Sequence, residues 1–362
     1  MIDRFRIEIA PAVFDDFRSR LRAARWPSGV LHDGGLPVSE MRAAVRHALD
    51  TFDWPTWQDE LNRLPHFTTE CGGLRLHLLH LKSPRSGAVP LLLVHGWPGS
   101  FIEMLSMAPL LSDAFDVVIP SLPGFGFSEI PTAAGVSNAR IAALLAELMS
   151  KLGYERFAVQ GGDWGAGIAT WLARRFPARV IAIHLNYVPG SYAPFVEAPL
   201  SPEEEAFLRD RAEWIERQAA YGHVQSTRPL TLAYALSDSP IGLIAWILEK
   251  FREWADPDRP IPLDPILANI FIYWATNTIP SSMRLYLESA QTPLRFVRGD
   301  RVGVPCGIAR FPHEAPFPPR GWIERAYDVV HWTAMPYGGH FAAMEAPELL
   351  AADVRAFLSG RT

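Results

Sequence analysis

The stretch VQGGDWGAGIA, residues 159–169, decides how this chain is read. A strand-like apolar run passes through Gly161, Gly162, Asp163, Trp164 and Gly165 into small residues suited to a helix. Strand, tight turn and helix with the pattern G-x-nucleophile-x-G form a nucleophile elbow, whose glycines let the backbone crowd round one exposed, strained side chain. That position commonly holds serine. A carboxylate there has no hydroxyl to offer an acyl group, but it can displace a leaving group from saturated carbon and form an ester with it. The competing reading is a turn aspartate bonding its own backbone, and the rest of the chain has to choose.

Outward from the elbow, VPLLLVHG, DVVIPSLPG, RFAVQGGDW and VIAIHLN are short apolar runs that each stop at glycine, proline or a polar residue. Such runs suit strands buried on both faces. Helical patterns separate them, notably residues 139–153, so βαβ units and a mostly parallel sheet are expected, with reactive groups at the strands' carboxyl ends. His95, Ser121 and Asp163 lie at such ends. Before this core, residues 11–25 carry Val13, Phe14, Phe17 and Leu21 at helical spacing, and a second helix opens with Ser39 as its cap. FTTECGGLRLHLLHLKS alternates around Gly72 and Gly73 as a hairpin does. Between about 190 and 290 the strand signal gives way to helical segments rich in aromatic residues, among them Phe195, Trp214, Tyr221, Tyr234, Trp246, Trp254 and Trp274. They predict a helical cap over the sheet edge. Strand-like runs return with LRFVRGDRVGVPCGIA and VVHWTAMP, and the helix APELLAADVRAFL closes the chain.

With 362 residues, 49% hydrophobic, 20% charged and a net charge of -5, the composition fits one large α/β core with additions and lacks the basic excess that nucleic acid attracts. Charges at Asp3, Arg4, Arg6 and Glu8 leave no apolar signal segment, and the apolar run 240–248 falls short of the roughly 20 residues that span a bilayer. Cys71 and Cys306 lie far apart in apolar surroundings, which suits buried thiols in a reducing, cytoplasmic compartment. No His and Cys cluster has metal-ligand spacing, and SLPGFGFS lacks a phosphate loop's lysine ending, so no metal and no cofactor are expected.

An elbow nucleophile needs a base, an acid that orients it and an oxyanion hole, in the chain order nucleophile, acid, histidine. Of 11 histidines only His340 combines that order with a turn, in MPYGGHFAAMEAP, after a strand and before the last helix. Glu314, in ARFPHEAP, can orient the imidazole and stabilise its cation. Asp300, in its RGD turn, competes for that role, and Asp328 does so more weakly. The loop LVHGWPGS at 93–100 can aim the Trp97 N–H over the elbow, where it and the Trp164 N–H would make the oxyanion hole. His95 reads as a satisfied loop histidine.

The motifs GGDWG, HGWPGS, PGFGFS and above all GGHFAAMEAPELL together resemble the microsomal-type epoxide hydrolases, a branch of the α/β-hydrolase superfamily. The resemblance extends to the N-terminal segment with its RWP and to the cap, where YGHVQSTRPLTLAYALSDSPIGLIAWILEKF and TIPSSMRLYLES are similar to the family's two tyrosine-bearing segments. It implies an α/β-hydrolase fold with residues 1–85 as a wrapping N-terminal segment, 86–189 as the first part of the core, 190–290 as the helical cap and 291–362 as the rest of the core. It further implies Asp163 as nucleophile, His340 as base, Glu314 rather than Asp300 as its partner, and Tyr221 and Tyr286 as donors to the epoxide oxygen. The implied partners are a small-molecule epoxide and water, and a homo-oligomer is compatible with the sequence. One departure stands out, the missing N-terminal membrane anchor of the family's animal enzymes, and it leads us to expect no membrane attachment. A haloalkane dehalogenase would use the same Asp nucleophile without a tyrosine pair, and a ligand-binding homologue would keep the fold without turnover.

Overall fold

The computed structural model describes residues 1–27, 34–188 and 199–361. Its strands are β1 (Ile2–Arg4), β2 (His66–Cys71), β3 (Leu74–Leu81), β4 (Val89–Val94), β5 (Phe115–Pro120), β6 (Phe157–Gly161), β7 (Val180–Leu185), β8 (Val302–Arg310) and β9 (Tyr327–Ala334). They form one nine-stranded sheet in the order β1-β2-β3-β5-β4-β6-β7-β8-β9. From β5 to β9 neighbouring strands run parallel, whereas β1, β2 and β3 add an antiparallel edge. Every residue of β5, β6 and β7 is buried, as are Leu91–Val94 of β4, which is why these segments read as unbroken apolar runs. The chain has the α/β-hydrolase fold that the sequence led us to expect.

The helices are α1 (Pro11–Arg22), α2 (Val38–Asp50), α3 (Trp54–Leu61), α4 (Asn138–Lys151), α5 (Asp163–Arg175), α6 (Pro202–Gln218), α7 (Ala220–Thr227), α8 (Pro229–Asp238), α9 (Pro240–Glu253), α10 (Leu263–Thr276), α11 (Ile279–Gln291), α12 (Arg320–Ile323), α13 (Ala342–Glu345) and α14 (Pro347–Leu358). The run α6–α11 interrupts the core between β7 and β8 and starts with a Ser201–Glu204 capping box. The N-terminal helices grip this insertion through a cluster of rings. Phe14 and Phe17 of α1 each meet Phe271 of α10 edge-on at 5.3 Å, and Trp54 of α3 lies 4.8 Å from the same ring. Each such buried side chain stabilises by about 1.5–3 kcal/mol relative to exposure, so the amphipathic stripe of α1 serves to tie the N-terminal segment to the cap helices.

Three local expectations change. Ser39 does not cap α2: the helix starts directly after Pro37, whose backbone occupies the capping position without a side-chain bond, and Ser39 already lies inside the first turn. Strand β8 begins only at Val302, because Asp300 closes a turn by accepting the Val297 N–H at 3.2 Å and donating its own N–H to the Val297 carbonyl. Strand β1 was not expected, since three exposed residues carry no periodicity. Phe195 and the division between residues 189 and 190 lie outside the described residues. The hairpin holds, with Gly72 and Gly73 both at positive φ as a two-residue turn requires. Cys71 and Cys306 are free and buried. Among the described residues no single helix is long and apolar enough to cross a membrane.

Candidate active site

Asp163 stands where β6 ends and α5 begins, and its φ of 45° is a left-handed conformation that costs a non-glycine residue about 1–3 kcal/mol. The fold holds it there by close approach, because a Cβ on Gly165 would collide with the Val94 carbonyl of the neighbouring strand. The carboxylate is thereby lifted off the sheet edge. Its Oδ1 accepts the Trp97 N–H at 2.8 Å, and its Oδ2 lies 3.6 Å from His340 Nε2. Trp164, in the first turn of α5, belongs to the N–H groups that a helix leaves without an internal partner.

His340 arrives from the turn after β9. Its own N–H donates to the Trp254 carbonyl at 2.9 Å, and its ring meets Trp254 edge-on at 5.1 Å, so a cap-side residue fixes the imidazole. Nδ1 lies 2.8 Å from Oε1 of Glu314, whose side chain is fully buried. The same Oε1 accepts the Ala315 N–H at 2.7 Å. Burial works against the imidazolium, but the carboxylates of Glu314 and Asp163 overcome it and hold the His340 pKa well above its ordinary value. Asp300 is elsewhere, paired with Arg174 at 3.2 Å. Asp328 pairs with Arg301 at the surface. His95 is a loop histidine, accepting the Leu122 N–H at 3.2 Å.

Tyr221 from α7 and Tyr286 from α11 converge above Asp163. Tyr221 stacks flat on Trp97 at 5.4 Å and 7°, Tyr286 stands edge-on to Trp164 at 4.6 Å, and the two phenol rings are 6.0 Å apart. Removal from solvent, with the Asp163 charge adding to it, raises both phenol pKa values and keeps the hydroxyls protonated. The two rings line a cavity of about 350 Å³ together with Asp163, Trp164, Trp171 and Tyr187. Such a site can place a carboxylate, two neutral donors and an imidazole around one small apolar molecule.

Two polar groups beside this constellation escaped sequence reading. Lys250 of α9 is buried, pairs with Glu249 at 2.6 Å and carries its Nζ 4.8 Å over the Tyr221 ring, a cation–π contact. Glu103 is also buried, accepts the Gly96 N–H at 3.3 Å, and has its pKa pushed up to about 7 by burial. The signal that could have flagged Glu103 is a lone charge in the apolar run FIEML, whereas Lys250 follows Glu249 in WILEKF and reads as one of an ordinary charged pair. Among the described residues no group of three or more His, Cys, Asp or Glu is arranged to hold a metal ion.

Two family descriptions match the chain, "Epoxide hydrolase N terminus" over residues 2–104 and "alpha/beta hydrolase fold" over residues 89–231. A Stigmatella aurantiaca protein provisionally named an epoxide hydrolase is 40% identical over 98% of this chain and 84% of its own length. Epoxide hydrolase 1 of Sus scrofa is 35% identical over 98% of this chain and 88% of its own. The solved epoxide hydrolase of Aspergillus niger superposes with a TM-score of 0.89 at 32% identity, covering 100% of this chain and 97% of that one.

Proposed function

The chain belongs to the microsomal-type epoxide hydrolases of the α/β-hydrolase superfamily and is itself an epoxide hydrolase, and from that premise we propose that it works through an ester on Asp163. The observation that carries the proposal is the double engagement of one carboxylate, with Oδ1 on the Trp97 N–H and Oδ2 towards His340, beneath two protonated phenols.

In the first step Asp163 attacks an epoxide carbon and the carbon–oxygen bond breaks. Tyr221 or Tyr286 gives its proton to the leaving oxygen while the other phenol donates a hydrogen bond. Esterification erases one of the two negative charges that hold the His340 pKa up, so the imidazolium releases its proton to the phenolate when a base is next needed. In the second step water attacks the ester carbonyl and its proton passes to His340, with Glu314 stabilising the cation. The Trp97 and Trp164 N–H groups hold the oxyanion. Collapse expels the diol oxygen, which takes the proton from His340, and the Asp163 carboxylic acid returns one to the imidazole. The balance is epoxide plus water to vicinal diol. The aromatic lining favours an apolar epoxide. The tyrosine pair, not needed for halide departure, sets this reading apart from a haloalkane dehalogenase. A cytoplasmic location belongs to the same proposal and is supported by two free, buried thiols.

The test is to replace His340 with Gln and mix the variant with a reactive epoxide. Intact-protein mass spectrometry should show a gain of one substrate, mapped to Asp163. In the parent enzyme, a single turnover in heavy-oxygen water should label Asp163 before the diol. Label entering the first-turnover diol directly, with no adduct in the variant, would refute the covalent route.

A further inference from the structure

Asp163 is a wall between two cavities. On one side lies the tyrosine-lined cavity, and on the other a small polar pocket with room for about one water molecule, lined by Asp163, His340, Glu103, Gln160 and Asn186. The pocket is otherwise closed by apolar side chains and glycines. Gln160 presents a buried Oε1 that has no hydrogen-bond partner among the described residues, while its Nε2 is held by Asn186 Oδ1 at 2.8 Å. Glu103, on the short helical turn Phe101–Met104, has one hydrogen bond, from the Gly96 N–H to Oε2 at 3.3 Å, and no cation pairs with it among the described residues. A buried carboxyl with spare acceptor capacity, an orphaned amide oxygen and the catalytic base around a space of that size describe a water site, since a held water needs two to four polar partners.

We propose that Glu103 positions the hydrolytic water, a role that rests on the covalent reading above. At rest the water donates one O–H to the Glu103 carboxylate and the other to Gln160 Oε1; for hydrolysis the second O–H turns to the deprotonated His340 Nε2, which leaves an oxygen lone pair facing the Asp163 carbonyl carbon. When the new carbon–oxygen bond forms, the proton goes to His340; Glu103 keeps its hydrogen bond and takes no proton. Its negative charge also faces the imidazolium that results. Water therefore reaches the ester from the side opposite the substrate, so the bound alkyl half need not shift to admit it.

The groups that face Glu103 set its ionisation. Burial raises its pKa, His340 and the Gly96 N–H oppose the rise, and Asp163 adds to it, giving about 7. From α10, Tyr273 spends its hydroxyl on the Gly99 carbonyl at 2.7 Å. On α13, Glu345 is turned away to the N–H groups of Phe341 and Asp256. The Gly96 N–H, which stays in place whatever the charge on Asp163 and His340, favours the carboxylate form of Glu103 as an acceptor for the hydrolytic step.

The experiment compares ester formation and ester decay, by quenched-flow mass spectrometry with styrene oxide, in the parent, Glu103→Gln and His340→Gln enzymes. Glu103→Gln should form the ester at the parental rate and hydrolyse it on the order of 10- to 100-fold more slowly, the loss expected for a hydrogen bond to a charged group. Its hydrolysis should also lack the component of the parent's pH profile that rises as Glu103 ionises. Parental decay in Glu103→Gln alongside a trapped His340→Gln adduct overturns this proposal alone, and so does a parallel slowing of both steps, which would mark a structural role. Absence of any adduct in His340→Gln overturns the covalent reading and this proposal with it. Should Glu103→Gln fail to fold, Glu103→Asp keeps the charge but withdraws it by one methylene, and decay at the parental rate in that variant is equally fatal.

Discussion

Replacing Glu314 with Gln isolates what the acid contributes to the base. The side chain is fully buried, its Oε1 lies 2.8 Å from His340 Nδ1 and accepts the Ala315 N–H, and its Oε2 has no partner among the described residues. Gln preserves the shape and the accepting oxygen, so the ring stays oriented, but the charge that stabilises the imidazolium is gone. A charge-assisted hydrogen bond contributes about 1.5–3 kcal/mol, which converts to roughly 10- to 100-fold in ester hydrolysis. Ester formation should stay near the parental rate, because Asp163 attacks without a base. Stopped-flow tryptophan fluorescence can follow both steps, since Trp97 and Trp164 flank the reacting atoms. The pH dependence of stability has a defined sign. The folded-state His340 pKa is raised, so the stability this pair contributes is complete below the unfolded value near 6.5 and is lost as pH rises through the folded value. The difference in melting temperature between parent and Glu314→Gln should therefore shrink from pH 6 to pH 9.5. Asp300→Asn, which breaks a pair with Arg174 away from the site, should leave both steps unchanged. Parental hydrolysis in Glu314→Gln, or an equal fall in both steps, would refute the assignment.

The other expectations concern the cap and the elbow. Tyr221→Phe and Tyr286→Phe should each slow ester formation about 10-fold and the double variant about 1000-fold, because two donors to one oxygen partly cover for each other; single variants that alkylate at the parental rate would reduce both rings to packing. Gly165→Ala forces a Cβ into the Val94 carbonyl, a backbone atom that cannot swing aside, and should lower stability by about 1–3 kcal/mol. Thermal unfolding measures it, and an unchanged melting temperature would show that the elbow has room to spare.

The parallel core could be read from the sequence because β4, β5, β6 and β7 are buried on both faces, so burial alone writes them as apolar runs. The elbow could be read because only glycine tolerates the approach of β4 to α5. Edges and turns were harder. Strand β1 pairs through exposed residues whose side chains carry no pattern, and Val297 sits in a strand-like run but is captured by the carboxylate of Asp300. Chain order placed Asp163, Glu314 and His340, but order cannot report a distance, and the choice between Glu314 and Asp300 needed the resemblance until geometry put one at the imidazole and the other on Arg174. Tyr221 and Tyr286 have no signature of their own in a cap full of rings. Glu103 was missed for a related reason, as nothing in FIEML says that the loop before it turns back over the elbow.

A carboxylate at an elbow that elsewhere carries a hydroxyl raises a geometric question, and the 2.8 Å bond from the Trp97 N–H to Oδ1 answers it. A serine elbow aims backbone donors at an oxygen of the substrate, so the oxyanion site stands open until substrate arrives. On the covalent route proposed above, the acyl group under attack belongs to the enzyme, and Oδ1 would occupy that site throughout the cycle. It is a carboxylate oxygen at rest, the ester carbonyl oxygen after alkylation and the oxyanion during hydrolysis, with the same donor each time. The donor thus leaves Oδ2 as the free nucleophile, on the side of His340. On the same route Oδ2 would carry the substrate's carbon after esterification, with the Asp163 carboxyl carbon between the Glu103 pocket and the tyrosine cavity. On that route the Trp97 N–H, with the Trp164 N–H beside it, decides which oxygen attacks and which accumulates charge, from a loop where a Cβ on Gly96 would collide with Asp163.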